Sequence, residues 1–208
     1  MYLILLGAPG TGKGTQAKLL AGLKGWLHIS TGDMLREAVT NKTMRGEAAK
    51  KFMDQGALVP DDLVIDMLIE RIERPDAESG FVLDGFPRNL AQAEALDKAL
   101  ARAGKSIDAA VHIAVPDEEL VRRLATRWMC RNCGSIYSEP HEKCTRCGGE
   151  LYQRDDDKPE TVRSRLAKQK PPADMLDHYC KANKLIDVDG TQPIDKVTSA
   201  LLTSLKVA

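Results

Sequence analysis

Two clusters of residues in this chain have the types and spacing to do chemistry. The first is Gly7-Ala8-Pro9-Gly10-Thr11-Gly12-Lys13-Gly14-Thr15, directly after the apolar run YLILL. It approaches the phosphate-binding pattern G-x-x-x-x-G-K-[ST]. Glycines let the backbone curl so that successive N–H groups converge on an anion. The helix that follows adds the partial positive charge of its N-terminus, and Lys13 brings a full charge to the outer phosphates. Gly14 departs from the pattern, because it stands where a hydroxyl for magnesium is expected. The alternative is a glycine-rich β–α turn with no ligand. The strand before it, the helix after it and the Gly-Lys pair in register weigh against that.

The second cluster is Cys130-Arg131-Asn132-Cys133 and Cys144-Thr145-Arg146-Cys147, two C-x2-C turns separated by ten residues. Each turn supplies two thiolates on one side. Two such turns close a tetrahedral four-sulfur cage with metal–sulfur distances of roughly 2.3 Å, the preference of zinc. A full set of four leaves no open position, so the metal is expected to be structural. Iron or cobalt accepts the same ligands. Gly134 and Gly148 follow the second cysteine of each pair and permit the backbone to turn under the metal. His141, between the pairs, is an alternative ligand. Disulfides are an alternative bonding, but in a reducing compartment such pairs read first as metal ligands.

A scaffold must place these residues. YLILLGA (2–8) is apolar at almost every position, as in a strand covered on both faces. TQAKLLAGLK (15–24) reads as a helix and WLHIS (26–30) as a short strand, and FVLDGF (81–86), AAVHIAV (109–115) and KLIDVDG (184–190) read as three more strands. LAQAEALDKALARAG (90–104) and DEELVRRLATR (117–127) have helical spacing, which predicts Arg123 and Arg127 on one helical face. Strand–helix alternation predicts an α/β fold with an open parallel sheet wrapped by helices. Residues 31–73 break the alternation with three helical segments and no strand. Residues 128–157 form a cysteine- and turn-rich insert.

Composition narrows the partners. With 208 residues, 43% of them hydrophobic, the chain can bury the core of one domain with insertions. Thirty basic and thirty acidic side chains give no net charge, which argues against a nucleic-acid surface. Aromatics at 4% are too few for a base-stacking platform. No apolar run approaches the ~18 residues of a membrane span, and YLILLGA is too short for a signal peptide and has no basic leader. These features predict a cytoplasmic protein with no membrane and no nucleic-acid partner.

The loop alone says only "nucleotide". STGDMLR (30–36), GALVPDDLV (56–64), DGFPRNLAQA (84–93) and ETVRSRL (160–166) occur in this order. With GAPGTGKGT they resemble the adenylate kinases, nucleoside-monophosphate kinases that interconvert ATP plus AMP with two ADP using magnesium. The resemblance covers essentially the whole chain. It implies a P-loop three-layer fold with a five-stranded parallel sheet flanked by helices, a helical AMP-binding insert and a small metal-binding lid. The expected division is a core of 1–29, 60–127 and 158–208, an AMP insert of 30–59 and a zinc-binding lid of 128–157, in a monomer. Four-cysteine cages occur in the lids of many bacterial members. The interval between the pairs is shorter here than in such lids, so the lid tip is trimmed.

The same resemblance assigns roles residue by residue. Family loops carry Gly after the Lys, with Thr next, so magnesium rides on substrate phosphates and waters, and Asp84 holds those waters. ATP is expected on Gly10, Thr11, Gly12, Lys13, Gly14 and Thr15, with Arg123 stacked on its base, Ile136 and Tyr137 flanking the adenine, and Gln192 nearby. AMP is expected among Thr31, Ala57, Leu58, Val59, Gly85 and Gln92, the last offering an amide to the purine edge. Arg36 and Arg88 grip its phosphate by the planar two-point contact that lysine cannot copy. Arg127, Arg154 and Arg165 close on the transferring phosphoryl group with Lys13 and Arg88.

Smaller expectations follow from individual residues. Asp156 and Asp157 hold the lid arginines, Arg163 pairs with the acidic run 155–157, and the arginine cluster repels itself into an open lid without substrate. Asp33 reads as a helix cap, since phosphoryl transfer is mainly positioning and charge stabilisation and needs no general base. His28 and His112 read as satisfied core histidines, Trp26 and Trp128 as packing residues, and Cys180 as a lone thiol. Two other functions compete. One is a kinase of another specificity, for pyrimidine monophosphates or with GTP as donor. The other is a nucleotide-gated module whose zinc knuckle binds nucleic acid.

Overall fold

The structure is a computed structural model that describes residues 1–157 and 159–206. In chain order the elements are β1 (Tyr2–Leu6), α1 (Lys13–Lys24), β2 (Leu27–Ser30), α2 (Thr31–Thr40), α3 (Met44–Met53) and α4 (Asp61–Ile72). They continue with β3 (Phe81–Asp84), α5 (Leu90–Arg102), β4 (Ala109–Ala114), α6 (Asp117–Ala125), β5 (Trp128–Cys130), β6 (Ile136–Tyr137) and β7 (Leu151–Tyr152). The chain closes with α7 (Pro159–Gln169), α8 (Ala173–Lys181), β8 (Leu185–Asp189) and α9 (Ile194–Ser204).

Five strands form one parallel sheet in the order β2-β3-β1-β4-β8. Successive side chains of β1 point to opposite faces. Leu3 and Leu5 pack with Ala17 and Leu20 of α1 and with Val197 and Leu201 of α9. Ile4 and Leu6 pack on the other face with Leu68 of α4, Leu96 of α5 and Tyr179 of α8. Burial on both faces is why β1 is apolar without interruption, and it produces the three layers expected from the sequence. The chain leaves β1 toward β2 and β3 on one side and reaches β4 on the other, so a crevice opens at the carboxyl edge. There Leu5 and Ser30 both stand opposite Asp84, so the glycine loop, the start of α2 and a carboxylate meet.

The three helices expected in 31–73 are α2, α3 and α4. Ser30 caps α2 by accepting from the Asp33 N–H at 3.2 Å, and Thr43 caps α3 by accepting from Gly46 N–H at 3.0 Å. Asp33 is therefore not the cap; it sits inside the first turn. Helix α1 begins at Lys13, two residues before the sequence reading.

Helix α6 ends at Ala125, earlier than expected, because Trp128–Cys130 is already committed to the lid sheet. Arg127 N–H bonds Leu124 O in a tight turn out of the helix, so Arg123 and Arg127 do not share a helical face. The lid is a three-stranded antiparallel sheet, β6-β5-β7. The insert was expected to end at residue 157, which closes the short turn Asp155–Asp157; residues 158, 207 and 208 lie outside the described residues.

Candidate active site and metal centre

The loop after β1 is built for an anion. Gly12 takes the left-handed conformation (φ 96°) at the N-terminus of α1, where neither a side-chain cap nor an acidic first-turn residue occupies the free N–H groups. Lys13 Nζ folds back on the loop, 2.8 Å from each of the Gly7 and Ala8 carbonyl oxygens. Burial pushes its pKa down to about 8; Asp84 opposes this, and Arg88, Arg165 and Arg127 add to it. All these charges thus act on one amine. A Cβ on Gly14 would stand 3.1 Å from Asp84 Oδ2. The loop omits a side chain at the point where the Asp84 carboxylate leans over it, so carboxylate and absent hydroxyl are two sides of one arrangement.

Arginines ring the far side. Arg127 makes a two-pronged pair with Asp157, Nε–Oδ2 at 2.7 Å and Nη2–Oδ1 at 2.6 Å. Arg165 reaches the same carboxylate at 2.7 Å and Asp156 at 3.2 Å. Arg154 lies 3.6 Å from Asp33 Oδ1, and Arg36 pairs with the same oxygen at 2.5 Å. Burial pushes Arg88 and Arg154 down to about 10, with neighbouring arginines adding to the effect. Both remain cationic at neutral pH. Burial alone would raise Asp156, yet Arg165, Arg36, Arg154 and Arg127 hold it below the usual carboxylate range. The self-repulsion expected of this cluster is met by three carboxylates. Even so, the buried Nε groups of Arg154 and Arg165 have no partner among the described residues. Orphaned cationic donors of this kind fit an anion.

A smaller pocket lies between the sheet edge, α2 and α7. Thr31, Arg36, Ala57, Leu58, Val59, Gly85, Arg88, Gln92 and Arg165 all line it. Arg154 does not; it faces the larger cleft. Arg88 is fixed by Nε donating to Gly85 O at 2.7 Å and by Nη1 donating to Gln169 Oε1 at 2.8 Å, while Gln169 Nε2 donates to Gly56 O at 2.9 Å. Gln169 was missed in the sequence, where nothing marks one helical glutamine among others.

The larger cleft is lined by the loop from Gly10 to Thr15 and by Asp84, Arg123, Arg127, Ile136, Tyr137 and Gln192. Arg123 is held by Glu119 at 2.7 Å and by Gly190 O at 3.0 Å, and Gln192 by Asp189 at 3.0 Å. Lys18 of α1, another residue missed in the sequence, donates to the lid carbonyl of Gly134 at 3.1 Å. Two histidine expectations need correction. His28 lines this cleft with its buried Nε2 unpartnered among the described residues, and burial lowers its pKa. His112 lies on the apolar strand β4 and is satisfied, by Asp187 at 2.8 Å, but it is only partly buried. Trp26 packs on the core as expected, whereas Cys180 and Arg163 are exposed.

The four lid sulfurs lie within 4.8 Å of one another, with Cys130–Cys147 at 3.4 Å and Cys133–Cys144 at 3.5 Å. A tetrahedral ion with metal–sulfur bonds of roughly 2.3 Å needs sulfurs about 3.8 Å apart, so the donor set fits such an ion. Gly134 and Gly148 both adopt left-handed conformations (φ 64° and 71°) and return their N–H groups to Cys130 O and Cys144 O. His141 does not take the place of a thiol: the grouped donors are the four cysteines, and its ring packs edge-on against Tyr137 at 5.0 Å. The Tyr137 hydroxyl accepts from Thr145 N–H at 3.1 Å and lies 3.2 Å from Cys144 Sγ, and this contact brings the Cys144 thiol down to about 6. Its side chain thus serves the cage.

Comparison with known proteins agrees with this geometry. The profile of the family described as Adenylate kinase matches residues 5–184. The Adenylate kinase of Archaeoglobus fulgidus is 53% identical, over 99% of this chain and 100% of its own length. That of Agathobacter rectalis is 48% identical over 97% and 98%, and that of Methanocella arvoryzae 47% identical over 99% of each. The chain belongs to the adenylate kinase family, the enzymes that turn ATP and AMP into two ADP.

Proposed function

We propose that this protein transfers a phosphoryl group reversibly from MgATP to AMP, giving two ADP, by direct in-line transfer under a closing lid. One observation carries the reading. Lys13, Asp84 and the arginines 88, 127 and 165 line one cleft with the glycine loop, and Arg88 and Arg165 also line the adjoining pocket that contains Arg36 and Gln92.

In this reading Gly10 to Thr15 cradle the ATP phosphates, and Arg123, Ile136, Tyr137 and Gln192 surround its base and ribose. AMP sits in the smaller pocket, its phosphate on Arg36 and Arg88. Arg127, Arg154 and Arg165 neutralise the charge that spreads over the group in transit. Asp84 would hold magnesium through waters, and the ion would supply charge neutralisation on the phosphates. Residues 30–59 act as the AMP insert and 128–157 as the lid, whose closure excludes water as an acceptor. Zinc is the ion assigned to the four cysteines. The protein is read as a cytoplasmic monomer without nucleic acid or membrane; balanced charge supports the absence of a nucleic-acid surface, and no helix among the described residues is long and apolar enough to cross a membrane.

The test is a coupled assay with ATP and each of AMP, CMP, UMP and GMP. AMP is expected to be the acceptor by a wide margin. Faster turnover with CMP or UMP would replace this reading with a pyrimidine kinase, and no transfer to any acceptor would end the enzymatic reading. A phosphorylated side chain trapped during turnover would refute direct transfer.

A further inference from the structure

Gln92 is 2% exposed and sits in the first turn of α5, lining the smaller pocket. Its Nε2 donates to Asp61 Oδ1 at 2.6 Å, and its Oε1 accepts from Arg88 N–H at 2.7 Å. A carboxylate only accepts and a backbone N–H only donates. Each neighbour therefore permits one orientation of the amide, and both permit the same one. Asp61 is in turn fixed by Asn89, whose Nδ2 donates to its Oδ2 at 2.8 Å. The Asn89 Oδ1 accepts from Gln92 N–H at 2.8 Å, so the residue that caps α5 also clamps the carboxylate.

We propose that Asp61, which does not line the pocket, sets the protein's preference for a 6-amino over a 6-oxo purine monophosphate by locking the Gln92 amide. This rests on the reading of the smaller pocket as the AMP site. With one Nε2 proton spent on Asp61 and one Oε1 lone pair spent on Arg88, the amide keeps one donor and one acceptor for a ligand, in fixed order. The 6-aminopurine edge offers an exocyclic N–H donor beside the N1 acceptor, which complements that pair. A 6-oxopurine offers the reverse, an O6 acceptor beside an N1–H donor. A glutamine free to flip would serve both. Here a flip sets Oε1 against a carboxylate and the NH2 against an N–H, and it leaves buried polar groups unpaired. Discrimination thus arises from a contact that the base never touches.

The test compares AMP with inosine monophosphate, which reverses the edge without adding an amino group at C2. In Asp61→Asn the side chain keeps its shape but can present either an acceptor or a donor to Gln92. The ratio of kcat/KM for AMP to that for inosine monophosphate should fall about tenfold or more, with the KM for MgATP unchanged. A ratio within twofold of the unmodified protein overturns the proposal, as does an unmodified protein that uses both acceptors equally. If the unmodified protein does not phosphorylate AMP, the reading of the pocket itself falls. A readout that needs no variant is hydrogen exchange of the Gln92 side-chain amide in the nucleotide-free protein. Slow exchange is expected, and exchange as fast as that of an exposed glutamine overturns the lock.

Discussion

At the scale of single residues, Lys13 shows how burial creates a testable charge state. In the nucleotide-free fold its amine rests on two loop carbonyls, and burial lowers its pKa to about 8. A bound triphosphate favours the charged form and drives the pKa back up. Above pH 8 the free protein therefore holds Lys13 largely neutral, and ATP must bring a proton with it. At pH 8.5 to 9 ATP binding should take up a fraction of a proton and the affinity should fall as pH rises. The nucleotide is already fully ionised there, so the uptake belongs to the protein. Calorimetry in two buffers of different ionisation heat measures it, and zero uptake would contradict the assignment of Lys13. The loop was legible in the sequence because its shape is dictated by where glycines stand. The Gln92 network was not, because Asp61 lies 31 residues away and only the packing of α4 on α5 joins them.

At the scale of elements, α2 and α3 are held unusually close. A Cβ on Gly46 would lie 2.1 Å from Ala38 O and 2.6 Å from Val39 N. Both are backbone atoms and cannot turn aside, so Gly46→Ala must push α3 off α2. The expected loss is about 1–3 kcal/mol of stability, as in other overpacked sites, read as a lower urea midpoint. Leu35, Arg36 and Met53 come from these two helices and line the smaller pocket. The KM for AMP should accordingly rise more than the KM for ATP, and an unchanged midpoint would contradict the close packing. The strands and most helices here were legible from periodicity, since each buries one stripe or both faces. Helices α8 and α9 went unread, and two further features were not legible. The end of α6 is set by Trp128–Cys130 pairing into the lid, a long-range demand. The lid strands are two or three residues long, too short for alternation to register.

For the molecule as a whole, the core and the lid are stabilised by different means. The core buries two apolar layers, one on each face of the sheet. The lid has three very short strands and few buried apolar residues, chiefly Met129 with the buried Cys130 and Cys144. A sheet so small does not order itself; with an ion on the four sulfurs, as proposed above, metal binding would be a folding energy for it. Asp157, whose side chain is 0% exposed, joins Arg127 at the lid entrance to Arg165 on α7, and Lys18 fastens the lid face to α1. Removing the metal, by chelation or by replacing all four cysteines with serine, should release about one ion per chain, lower the melting temperature and leave the helical signal of the core largely intact. Amide exchange should accelerate across 128–157 and stay slow in β1 and β3. If residues 128–157 close over the site as proposed, phosphoryl transfer should weaken while stray hydrolysis of ATP gains, because the loosened segment would no longer exclude water. An unchanged melting temperature and unchanged exchange in 128–157 would mean that the lid holds itself, and that the four sulfurs are not its structural support.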